Sequence, residues 1–83
     1  MMIPENTLDG LKRYSQERIP PGSFLTSVLE NDLLESFSWA DKENREVLFE
    51  IVRYCYNELP YGCWGSPEKV KNWLLGKNRN EEV

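Results

Sequence analysis

Two clusters of helix-breaking residues divide this chain of 83 residues. The first is Pro20-Pro21-Gly22. The second is Leu59-Pro60-Tyr61-Gly62-Cys63-Trp64-Gly65, followed at once by Ser66-Pro67. Proline lacks the amide donor and clashes with the preceding helical turn, and glycine adds conformational freedom, so neither helix nor strand runs through such clusters. The stretches between them space their apolar residues at helical intervals. The expected fold is therefore all-α, a compact bundle of about four short helices with no sheet, in a single domain over 1–76. The polar residues 77–83 are expected to form a frayed tail.

The first helix is read from Thr7, as its cap, to Arg18, with Leu8, Leu11, Tyr14, Ser15 and Ile19 on one side and Gly10 weakening it. The second follows Ser23, a natural cap, and runs to Phe37. Phe24, Leu25, Val28, Leu29, Leu33 and Phe37 sweep an arc of about 220° on it. The third runs from Lys42 to Glu58 behind a cap at Asp41. It is the most apolar, and its arc is again about 220°, so it is expected to be buried on more than one side, as the bundle's centre or as the seam of an oligomer. The fourth opens with Ser66 as cap and Pro67 at its first position, buries Val70, Trp73 and Leu74, and closes at Gly76.

So short a chain has a small core, and self-association would help it. Three Trp, four Tyr and three Phe supply area for core or interface. The net charge of −4 disfavours a protein that tracks nucleic-acid phosphates. No signal peptide or long apolar run is visible, so no membrane association is expected. Cys55 and Cys63 are expected to be free thiols. Histidine is absent, which removes Cys/His zinc sites and every Ser-His or Cys-His nucleophile pair. No cofactor is expected, and no enzymatic activity.

Asp32 is the first oddity. On a continuous second helix it falls inside the apolar arc, between Val28 and Leu25. A carboxylate there must be paired, hydrogen-bonded or protonated. Either it accepts bonds from a neighbouring helix start or an aromatic donor and pins the structure, or it lines a pocket and receives a ligand's donor; a shift of helical phase would move it off the face. Gly22-Ser23 and Gly65-Ser66 are the second oddity. Each sets Gly-Ser at a helix start, where free amides and the helix dipole favour anions. Near the second start stand Trp64 and Tyr61, suited to stacking, and Lys69, suited to an anion. Capping alone is the commoner role of serine at a helix start, and Gly-Ser is not a phosphate-loop motif. The candidate ligand-binding residues are thus Gly22, Ser23, Asp32, Tyr61, Trp64, Gly65, Ser66 and Lys69. Glu30, Asp32 and Glu35 read as a solvated acidic face and not as a metal site. Trp73 and Trp39 read as core, and Trp64 as a loop residue open to a functional contact.

The strings "IPPGSFLTSVLENDL", "WADKENREVLFEIVRYCYNELP" and "CWGSPEKVKNWL", from about Tyr14 to Leu75, resemble a group of small bacteriophage and prophage proteins. The resemblance lies in the overall string and carries no catalytic signature. It implies a setting, an accessory protein in a bacterial cytoplasm, where such proteins often counter host defence. Two functions follow as expectations. One is a sponge that binds a nucleotide-type signal without chemistry. The other is an inhibitor or adaptor that binds a host defence protein through acidic and aromatic surfaces. A small carboxylate-using hydrolase lacks an identifiable acid–base pair.

Overall fold

The computed structural model describes residues 2–76; the expected tail 77–83 lies outside the described residues. Among them the fold is all-helical, without a strand. Six α-helices follow one another: α1 (Glu5–Glu17), α2 (Ser23–Leu29), α3 (Leu33–Trp39), α4 (Lys42–Glu46), α5 (Leu48–Glu58) and α6 (Pro67–Leu74). A 3-10 turn, Tyr61–Cys63, stands between α5 and α6. No helix is long and apolar enough to cross a membrane.

The count exceeds four because two expected helices are jointed. The segment expected over 23–37 breaks after Leu29. Asn31 takes a left-handed conformation with φ 65°. Its amide donates to the Val28 carbonyl, and the Asp32 amide donates to the Ser27 carbonyl at 2.9 Å. This pair of bonds closes a Schellman-type end, and Asn is the residue after Gly that best tolerates it. Asp32 then begins α3, its carboxylate accepting from the Glu35 amide at 3.2 Å. Asp32 is exposed, so the expectation of a carboxylate inside an apolar arc is corrected. The arc assumed one helical phase, and the phase restarts at Asn31. Leu33 and Phe37, expected inside, are exposed for the same reason.

The segment over 42–58 is jointed at Val47, with φ −116° and ψ 21°, whose amide donates back to the Asn44 carbonyl. Asp41 caps α4 as expected, accepting from the Asn44 amide at 2.8 Å. Thr7 is not a cap. α1 begins two residues earlier, and the buried Thr7 hydroxyl donates to the Asn44 side chain at 2.7 Å, tying α1 to α4. Ser23 is likewise the first residue of α2 and makes no side-chain cap; Gly22 holds the cap position.

Leu11, Tyr14, Leu25, Leu29, Val47, Ile51, Cys55, Leu59, Cys63, Val70 and Trp73 form one continuous core. Gly10 lets α2 close on α1: a Cβ there would sit 3.0 Å from the Leu25 methyl. Trp73 and Val70 are core as read from the sequence. Trp39 is not: it is exposed, and its indole donates to Glu35 at 3.0 Å within the same helix. Ile19, assigned to the buried side of the first helix, is exposed beyond the left-handed turn at Arg18.

Candidate functional site

The loop between α5 and α6 is held from three sides. Below it, the fully buried Tyr14 hydroxyl donates to the Cys63 carbonyl at 2.7 Å. Trp73 donates its indole N–H to the Tyr14 carbonyl at 3.0 Å. Arg18 donates to the Trp73 carbonyl at 2.6 Å and lies over the Trp73 ring, 3.8 Å from its centre. From α2, the Leu29 carbonyl accepts the Gly65 amide at 2.7 Å. Gly65 has φ 124°, a backbone conformation that side chains rarely adopt, so glycine is needed for this approach. Burial drives the Tyr14 hydroxyl well above the ordinary phenol range. Burial also pushes the Cys55 and Cys63 thiols up to about 12, and Cys55 is raised further by its neighbour Cys63. Both thiols are free and buried. They are protonated and poor nucleophiles at neutral pH.

Above this base, Trp64 stands half-buried between two tyrosines. Its ring lies 5.7 Å from Tyr56, tilted, and 5.8 Å from Tyr61, edge to face. Its indole nitrogen is buried with no acceptor within reach. Tyr61 is largely exposed, and the Lys69 ammonium sits 5.0 Å from its ring centre. The Lys69 stem also passes 3.5 Å from where a Gly65 Cβ would be. Ser66 caps α6, its hydroxyl oxygen accepting from the Lys69 amide at 3.1 Å.

Five of the eight candidate residues therefore converge: Tyr61, Trp64, Gly65, Ser66 and Lys69. The other three do not join them through any described contact. Asp32 is engaged in capping α3. Gly22 and Ser23 open α2, about 10 Å along its axis from Leu29, where the loop docks. Gly22 instead borders a small cleft of about 240 Å³ with Gly10, Arg13, Pro21 and Leu25. Within the converged group, Trp64 and Ser66 have competing structural tasks. The Trp64 ring is already contacted by two aromatic neighbours, and the Ser66 hydroxyl is engaged by the helix it caps.

The sequence reading missed a second feature. α3 buries only Ser36 of its seven residues. Leu34 is 82% exposed, at the solvent pole opposite Ser36, with Leu33 and Phe37 on one flank and Trp39 on the other. The helix is nonetheless fixed at both ends. Asp32 caps its start, and Ala40 beyond its end is buried. Arg45 donates to the Ala40 carbonyl and lies 4.5 Å from the centre of the Phe37 ring. The signal in the sequence was Asn31-Asp32-Leu33-Leu34-Glu35, a helix stop followed by a cap and an acidic residue three places on. Among the described residues no three Cys, Asp or Glu side chains are grouped to hold a metal ion. No protein-family model, curated protein or solved structure matches the chain.

Proposed function

We propose that this chain is a binding protein that performs no chemistry, works as a homo-oligomer, and captures a protein partner through α3. The observation that carries the reading is α3 itself: a short helix fixed at both ends that turns Leu33, Leu34 and Phe37 outward on one side, with Trp39 exposed on the other flank. Rigid apolar anchors at one-turn spacing suit insertion into a groove, because little ordering entropy remains to be lost on binding. Asp32 and Glu35 stand on or at the start of the same helix and Asp41 just beyond its end; the cations near them are Lys42 and Arg45, the latter engaged with Phe37. The complementary partner surface is an apolar cleft rimmed by Lys and Arg. In the phage-type setting the resemblance implies, that partner is a host defence protein in the bacterial cytoplasm. The test is a photo-crosslinking residue placed at Leu34 in bacterial cells, with Lys12 as control site. The expected result is one discrete adduct from position 34, lost when Phe37 is changed to Asp. Equal labelling from both sites contradicts the reading.

A second reading, the nucleotide sponge, is favoured by one arrangement. The exposed Tyr61 ring, the Lys69 ammonium and the start of α6 lie side by side. Stacking of a base on Tyr61 with its phosphate toward Lys69 and the helix start uses all three. A thermal-shift panel of cyclic nucleotides, NAD and ADP-ribose tests it. A ligand at about 100 times its Kd stabilises by about 2.7 kcal/mol, a shift of many degrees in so small a domain. Tyr61→Ala removes that shift if the reading holds, and a flat panel ends it.

A further inference from the structure

The apolar arc of α5 resolves into two separate faces. Val47, just before the helix, with Ile51 and Cys55, faces the core. Phe49 and Tyr56 lie opposite Ile51, on the line of the helix farthest from the core, and are 72% and 71% exposed. Val52 lies between them along the stripe. The stripe continues through Tyr56 onto Trp64 and from Trp64 onto Tyr61 by direct ring contacts. It is one surface, and nothing in the monomer's core requires it.

We propose that a second copy of this chain covers that surface, α5 packing antiparallel on α5 about a two-fold axis near Val52. This rests on the homo-oligomer part of the reading above and names its seam. Three observations support a second copy as the occupant. The first is the placement of the two rings, with Val52 near their midpoint. Phe49 and Tyr56 are disposed evenly about a point beside Val52, so an antiparallel pair sets each Phe49 against the other copy's Tyr56. The second is charge. Glu50 and Arg53, 3.7 Å apart within one copy, stand together on one side of the stripe and are centred on nearly the same point along the helix. An antiparallel pair brings Glu50 of each copy toward Arg53 of the other, so opposite charges meet. α3 lacks this property, because its acidic border would meet itself. The third is area. With aromatic side chains of about 200 Å² each, the exposed parts of Phe49, Val52, Tyr56 and Tyr61 present roughly 500 Å² of apolar surface. A standard interface takes about 800 Å² from each partner, some 65% of it apolar in homodimers, or about 500 Å². The face is the size a stable dimer needs.

The test is sedimentation of the full chain over about a hundredfold concentration range, with circular dichroism. The expected species has twice the chain mass of 9.8 kDa. Phe49→Glu combined with Tyr56→Glu converts it to monomer with helix content retained, and Leu34→Glu leaves the dimer intact. A Val52→Cys variant, mildly oxidised, forms a covalent dimer, since the native thiols are buried and do not compete. A wild-type chain that stays monomeric at every concentration overturns both the homo-oligomer reading and the seam. A dimer that survives the double glutamate variant, or that Val52→Cys does not link, overturns the seam alone. Should the double variant lose its helices, the Val52→Cys result decides.

Discussion

The junction of α1, the 59–66 loop and α6 differs sharply from the outer sides of α3 and α5, although both are built from aromatic and aliphatic side chains. At the junction Tyr14, Cys63 and Trp73 are sealed, and the polar atoms of Tyr14 and Trp73 have partners: the hydroxyl on the Cys63 carbonyl, the indole on the Tyr14 carbonyl. On the outer sides Leu34, Phe49 and Tyr56 lie mostly in water. The contrast teaches that composition and periodicity alone do not assign a residue to the core. What distinguishes the junction is that the donors of Tyr14, Trp73 and Arg18 close on carbonyls of the junction itself; Leu34, Phe49 and Tyr56 have apolar area and no such closure. The junction is where stability resides, and the outer sides are free to serve contacts with other molecules.

That contrast can be broken from the junction side first. Trp73→Ala removes a buried ring and leaves a cavity, a change worth about 3–5 kcal/mol, which for a domain this small abolishes folding; far-ultraviolet circular dichroism is expected to show an unfolded chain. Alkaline pH attacks the same place. The folded thiols of Cys55 and Cys63 are held near 12 against an ordinary 9, so the folded state keeps protons that the unfolded state gives up. Their contribution is complete below pH 9 and is lost as pH rises from 9 toward 12. Urea midpoints are expected to fall across that window, and less so in a Cys55→Ala/Cys63→Ala background. Tyr14→Phe, which strands the buried Cys63 carbonyl, is expected to cost about 1–3 kcal/mol in the same unfolding assay.

Smaller effects sharpen the boundary between the two regions. Asp32→Ala removes the α3 cap and is expected to cost about 1 kcal/mol; a loss several times larger would return Asp32 to the buried role that a continuous helix implies. Leu34→Ser, at an exposed position, is expected to stay within about 0.5 kcal/mol in the chemical unfolding of the monomer.

The sequence made the all-helical class, the cap at Ser66, the cap at Asp41 and the core roles of Leu11, Tyr14, Val70 and Trp73 legible, because each rests on local chemistry or on a short periodic run. It misleads where a long periodic run reads as one helix. Asn31-Asp32 resets the phase, and Asp32, Leu33 and Phe37 all leave the expected face for that single reason; the joint at Val47 leaves Val47, Ile51 and Cys55 in the core. The convergence of Tyr61, Trp64, Gly65, Ser66 and Lys69 was legible because they are neighbours in the chain. Gly22 and Ser23 were grouped with them by likeness of motif, which carries no information about distance. For α5 the sequence leaves two roles open, bundle centre or oligomer seam, because an arc of about 220° looks the same whether its far edge is core or contact surface.

The most direct measurement is urea unfolding of the wild-type chain beside a Phe49→Ser/Tyr56→Ser variant, over about a hundredfold range of protein concentration. If the outer side of α5 lies outside the core and is covered by a second copy, the two proteins agree within about 1 kcal/mol when dilute, and only the wild type gains stability when concentrated. If the variant is destabilised by several kcal/mol even when dilute, Phe49 and Tyr56 belong to the core, and the division of the molecule into a sealed junction and an outer contact surface is wrong.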